Sequence, residues 1–210
     1  MNVSDLALSE DQRDCLQELV NVAMGQAGDS LARLLEVFVN LSVPRIQVVS
    51  NDELPKALAG LLGHKNLVSA VRQGFHSQLE HIDVRGEAIV VFGDTSFKEL
   101  AELLSYEDAI DANAEKELLL DVTNVISAAC LTGIGEQLEI DMGFSAPSLL
   151  GQQIPIERLV DSKHGWQQAL LVEINYSVDN RAFMCHLMMM MPDIAIQALK
   201  TRIDEILEDF

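Results

Sequence analysis

The sequence predicts an α/β (α+β) fold: one pseudo-two-fold symmetric domain over residues 1–210, with a central, mostly antiparallel sheet and two long helices carrying matching motifs on one side of it. Three observations predict it. The order long helix, strand, short helix, two strands, helix occurs twice, over about 9–106 and 113–208. Landmarks in the two halves share one offset: Asn21 and Asn124 are 103 residues apart (124 − 21), and so are Pro44 and Pro147 (147 − 44). The two strands closing each half are joined by short connections, which suit hairpins and not parallel crossovers.

The first long helix opens at Ser9, where Gln12 three residues on completes a capping-box pattern. Leu16, Leu19, Val20, Ala23, Met24, Ala27, Leu31 and Leu34 keep a helical period to about Val37. Pro44 ends a short connection, and Ile46 and Val48 alternate as in a strand. A short helix is expected over 53–62, extended segments near 67–76 and 87–92, and a helix from the Ser96/Glu99 pair to about Leu104. The second half follows suit: a long helix over 114–138, an extended piece after Pro147, and a helical turn from Pro155 to about Ser162. Then come strands over 170–178 and 181–191 and a helix from about Asp193 to Leu207. Leu170, Val172, Ile174, Tyr176 and Val178 alternate with Leu171, Glu173, Asn175 and Ser177. Met188 to Met191 fall on the last strand and read as core. The acidic end, Asp204, Glu205, Glu208 and Asp209, reads as a solvated helix face.

Composition narrows the partners. A formal charge of −19 repels phosphate backbones and anionic lipid, so neither nucleic acid nor membrane insertion is expected. The N-terminal residues lack a basic segment followed by an apolar one, and Leu118–Ile134, the most apolar run, is broken by Asp121 and Asn124. Cys15, Cys130 and Cys185 are odd in number and scattered, which suits reduced thiols. The expectation is a cytoplasmic chain with no metal or cofactor of its own.

On the first long helix Asp14, Glu18, Asn21, Gly25 and Gly28 form a narrow stripe opposite the apolar face. A mid-helix glycine costs about 1 kcal/mol relative to alanine, which points to a close approach of something to that backbone. The second helix carries Glu117, Asp121 and Asn124 at the same spacings. A lone exposed helical Asn carries no functional signal; the same acid-and-amide pair twice, at one offset, does. Asp14 and Glu117 are read as serving the helix dipole, and Pro44 and Pro147 as structural.

The pattern acidic-x3-acidic-x2-Asn-x22-Pro resembles that of the CheC, CheX and FliY phosphatases of bacterial chemotaxis. Asp14, Glu18, Asn21 and Pro44 match it fully; in the second copy Glu117 and Asp121 depart from the usual Asp or Ser and Glu. Two motifs in one chain are most similar to the CheC type. The resemblance implies a phosphatase that hydrolyses the aspartyl phosphate of a CheY-like response-regulator receiver. Glu18, Asn21, Asp121 and Asn124 would be its catalytic residues. The amides would orient the attacking water, the acids would hold a receiver lysine, and the receiver would bring the Mg²⁺. It implies site one as the stronger site, since Asp121 is one methylene shorter than Glu18. The alternative is a non-catalytic CheC-like scaffold that engages a receiver or a CheD-type receptor deamidase.

Overall fold

The computed structural model describes residues 7–50, 52–53, 56–57, 60, 67–79, 82–93, 96–106, 111–155, 158–159, 168–181 and 183–208. The helices expected over 53–62 and from Pro155 lie mostly outside these residues.

Helix α1 (Glu10–Leu35) begins where the capping box places it: Ser9 Oγ accepts from the Gln12 backbone N–H at 3.1 Å, and Gln12 Oε1 accepts from the Ser9 N–H at 3.0 Å. Strands β1 (Val39–Leu41), β2 (Arg45–Ser50), β3 (Val68–Leu79) and β4 (Ile82–Gly93) follow, then α2 (Ser96–Leu103). The second half runs α3 (Ala112–Leu138), β5 (Gly143–Phe144), β6 (Ser148–Ile154), β7 (Gln168–Val178), β8 (Met184–Pro192) and α4 (Asp193–Glu208). Helix α3 is capped by Asp111, whose carboxylate accepts from the N–H groups of Asn113 and Ala114.

The eight strands form one sheet, in the order β1-β7-β8-β4-β3-β5, with β2 also beside β7 and β6 beside β3. All of its pairings are antiparallel. At its centre Ile89 faces Met188, flanked by Ala88 opposite Met189 and Val90 opposite Leu187. The two halves are related across that pair. The helix ends obey the same relation. Glu36 and Glu139, equivalent residues, each close a long helix in the left-handed region, at φ 53° and 55°. A side chain there is strained, and glycine is not. Replacing the exposed Glu36 with Gly is therefore expected to raise stability by about 0.5–1 kcal/mol, read as a higher urea midpoint at unchanged slope.

Helices α1 to α4 share one face of the sheet. Leu16, Val20 and Leu31 of α1, Leu100 of α2, Leu119, Ile126 and Cys130 of α3 and Ile196 of α4 join Val71, Phe75, Val172, Tyr176 and Met189 in one cluster. The opposite face carries a smaller cluster with Val49, Val68, Ile89, Leu159, Leu171, Met188 and Met190. Strand β7 is thus buried on both sides, so Glu173, which alternation places on a polar face, is only 2% exposed. Its Oε1 lies 3.5 Å from His186 Nδ1 and its Oε2 3.9 Å from Arg45 Nη1. The acidic C-terminal turn is also more than a solvated face. Asp204 accepts from Gln12 Nε2 at 2.7 Å, which ties α4 to the start of α1, and Glu205 pairs with Arg202 of its own helix at 2.8 Å.

Helix α3 is long and apolar enough to cross a membrane, but 61% of its most apolar stretch is buried against the rest of the protein. Burial also governs the thiols. Desolvation pushes Cys130 up to about 12 and raises Cys185 further, while the half-buried Cys15 is raised less. Titration with Ellman's reagent at pH 8 is expected to modify Cys15 first, with Cys130 and Cys185 reacting only after denaturant is added.

Candidate functional site

Helices α1 and α3 lie against each other on the sheet, and their line of contact is set by a glycine. A Cβ at Gly133 would sit 3.0 Å from both Cα and Cβ of Ala23 and would touch Gln26 Oε1. Such an approach turns the apolar stripes inward and leaves each polar stripe outward. Asp14, Glu18 and Asn21 on α1 are exposed, as are Glu117, Asp121 and Asn124 on α3. Each carboxamide therefore stands one helical turn beyond an exposed carboxylate, in mid-helix, where the backbone is rigid.

The glycine stripe divides. Gly25 has open space where its side chain would be, with nothing within 4 Å. Gly28 is buried: a Cβ there would come within 2.9 Å of Leu41 Cδ2. The close approach at Gly28 is made by the protein's own β1, and the polar stripe ends at Gly25.

Both prolines stand between the two pieces of an edge strand, Pro44 between β1 and β2 and Pro147 between β5 and β6, which is a structural position. A serine two residues before each ties the break to the neighbouring strand. Ser145 N–H donates to the Gly74 carbonyl at 2.9 Å, and Ser145 Oγ accepts from Gly74 N–H at 2.9 Å. In the other half Ser42 N–H donates to the Asn175 carbonyl at 3.1 Å, and Ser42 Oγ accepts from Asn175 N–H at 3.1 Å. These breaks lie beside the motif helices, as the Leu41 contact with Gly28 shows in the first half.

The surroundings of the two amides differ. Asn124 Oδ1 accepts from Gln73 Nε2 of β3 at 3.3 Å, and the same nitrogen donates to the Ser145 carbonyl at 3.0 Å. Large exposed apolar side chains in the first half include Val22, next to Asn21 in sequence, at 41%, and Leu41 and Val43, at 36% and 67%, at the break between β1 and β2. The equivalents at site two are Val125, Phe144 and Ala146. Sequence reasoning missed Gln73 and Leu41. Gln73 reaches its motif helix from a strand distant in sequence and Leu41 from the strand that follows its helix, and no local spacing announces either contact. Among the described residues, no group of three or more His, Cys, Asp or Glu side chains is arranged to hold a metal ion.

No family model matches the chain. Solved structures do. FliY of Thermotoga maritima is similar with a TM-score of 0.70 at 13% identity, over 95% of this chain and 98% of that one. CheX of Desulfovibrio desulfuricans gives 0.56 at 13% identity, over 83% and 99%. FliM of H. pylori, solved in a FliM–SpeE complex, gives 0.61 at 10% identity, over 95% and 97%. The fold is thus held in common at very low identity: the chain has the fold of FliY, of the chemotaxis protein CheX and of FliM.

Proposed function

We propose that the protein is a phosphatase for the aspartyl phosphate of a CheY-like receiver, acting through Glu18 and Asn21 at one site and Asp121 and Asn124 at the other. The observation that carries this reading is the pair of exposed carboxamides, each one turn beyond a carboxylate, repeated across the pseudo-dyad. Phosphoryl transfer is largely a matter of positioning and electrostatics, so an amide on a rigid helix can supply what the receiver lacks: an acceptor that aligns a water with the P–O bond. An amide cannot take the proton at neutral pH; the Asn orients the water and does not deprotonate it. Glu18 and Asp121, both exposed, would pair with a receiver lysine, and docking would desolvate that pair. The exposed Val22, next to Asn21, adds apolar surface from which docking would expel water.

The direct test is the decay of phosphorylated receivers from the same genome, with Mg²⁺ present, in the presence and absence of the protein. Accelerated decay is expected. Unchanged decay at saturating protein overturns the reading and leaves a second one, a binding scaffold. That second reading rests on the likeness to FliM, which fits this chain at a higher TM-score than CheX and was solved bound to another protein. Retained receiver binding without accelerated decay would support it.

A further inference from the structure

The two sites are built on equivalent backbones but not on equivalent second layers. Strand β3 faces β6 with Arg72 opposite Ser148 and Val71 opposite Leu149. Strand β7 faces β2 with Glu173 opposite Arg45 and Val172 opposite Ile46. Arg45 and Ser148 share the offset that relates the two asparagines, so Glu173 answers to Arg72 and Ile174 answers to Gln73. The matched serine contacts, Ser145 to Gly74 and Ser42 to Asn175, fix the same register. Beneath Asn21 there is thus an isoleucine, where beneath Asn124 there is a glutamine.

Gln73 is 2% exposed, and its amide has a defined polarity. The Ser145 carbonyl only accepts, so the end of Gln73 that lies 3.0 Å from it is the nitrogen. That NH₂ has a second proton, and the group 3.3 Å away in its path is Asn124 Oδ1. The other end of Gln73, Oε1, accepts from the Ser127 hydroxyl. The flipped amide would set Oε1 against the Ser145 carbonyl, two acceptors facing each other, so this orientation is the favoured one. It follows that Asn124 turns its oxygen inward and its amide nitrogen outward.

We propose that Gln73 is a positioning residue that makes the two sites chemically different. At site two Asn124 presents N–H donors to the partner, and these suit an anionic phosphoryl oxygen. At site one Asn21, with Ile174 in the equivalent place and no side-chain amide bonded to it among the described residues, is free to turn Oδ1 toward a water. A phosphorylated receiver docked at site two is then held with slow hydrolysis, and one docked at site one is hydrolysed faster. This inference rests on the phosphatase reading for its chemistry but not for the orientation of the amide.

Gln73→Ile makes the second layer of site two like that of site one. It leaves Ser127 with its second acceptor, the Thr123 carbonyl at 2.6 Å, and it places a β-branched residue in a strand, so the fold should survive. In the Asn21→Ala protein, where only site two remains, Gln73→Ile is expected to raise kcat for receiver dephosphorylation by about fivefold. The gain should vanish when Asn124 is also Ala. A kcat that stays level or falls overturns the inference. The second readout needs no activity: ¹⁵N relaxation of the side-chain carboxamides should find Asn124 more ordered than Asn21, and Gln73→Ile should bring it to the mobility of Asn21. Equal order in the wild-type protein overturns the inference. A wild-type protein that hydrolyses no receiver phosphate defeats the phosphatase reading instead, and the relaxation data alone then decide the amide's orientation.

Discussion

Asn21→Ala is expected to lower kcat for receiver dephosphorylation about a hundredfold, equivalent to about 2.7 kcal/mol of barrier, while leaving receiver affinity within about twofold. The side chain is exposed and in mid-helix, where alanine is the better helix former, so the variant should be at least as stable as wild type. A loss of turnover cannot then be put down to unfolding. Asn124→Ala is expected to cost less in kcat and more in affinity, since Gln73 turns its oxygen inward. Single-turnover decay of a phosphorylated receiver, with binding measured separately, separates the two. Equal losses of kcat at both asparagines would count against the inequality of the sites, and a collapse of binding with unchanged turnover at Asn21 would remove its assigned role.

The largest expected effect on stability is at Gly133. Glycine in mid-helix ordinarily costs about 1 kcal/mol relative to alanine, and at Gly25, where the surroundings are open, Gly→Ala should recover that. At Gly133 the sign reverses. The atoms 3.0 Å from a new Cβ include the Cα of Ala23, which is main chain and moves only if helix α1 moves. Gly133→Val adds two further methyl groups at the same contact and should cost roughly 2–3 kcal/mol, a Tm lower by roughly 5–10 °C. Because α1 and α3 carry the two motifs, the shift should also reduce turnover in both single-site proteins. Calorimetry of Gly25→Ala and Gly133→Val side by side checks the contrast; an unchanged Tm for Gly133→Val would mean that the helices do not meet there.

The repeat was legible because it is written in local terms. The capping box at Ser9, the helical periods of α1 and α3, the two Asn–Pro spacings and the hairpin strands all depend on near neighbours. What was not legible depends on tertiary contact. Strands β1 and β5, three and two residues long, are too short for alternation to register. A helical wheel places Gly28 with the outward stripe, but Leu41 returns from the end of the helix to cover it. Alternation in β7 reads Glu173 as facing water, yet a second apolar layer covers that side of the sheet. The asparagines are found by spacing alone. The orientation of one of them is set by a glutamine 51 residues away in sequence, and the other has an isoleucine in that place. The exposure of these positions was thus legible in the sequence, and their surroundings were not.

The interrupted outer strands bear on how the molecule keeps apart from its own copies. An open sheet offers a row of unpaired amides along each border, a template for adding further chains. Here each border is cut by a proline, which has no N–H to offer, and bent where a serine pins it to the strand inside. A docking stranger would find at most six or seven consecutive residues in β2 or β6 before the template fails. Fibrillar growth through the borders should therefore be slow, and Pro44→Val or Pro147→Val should hasten it.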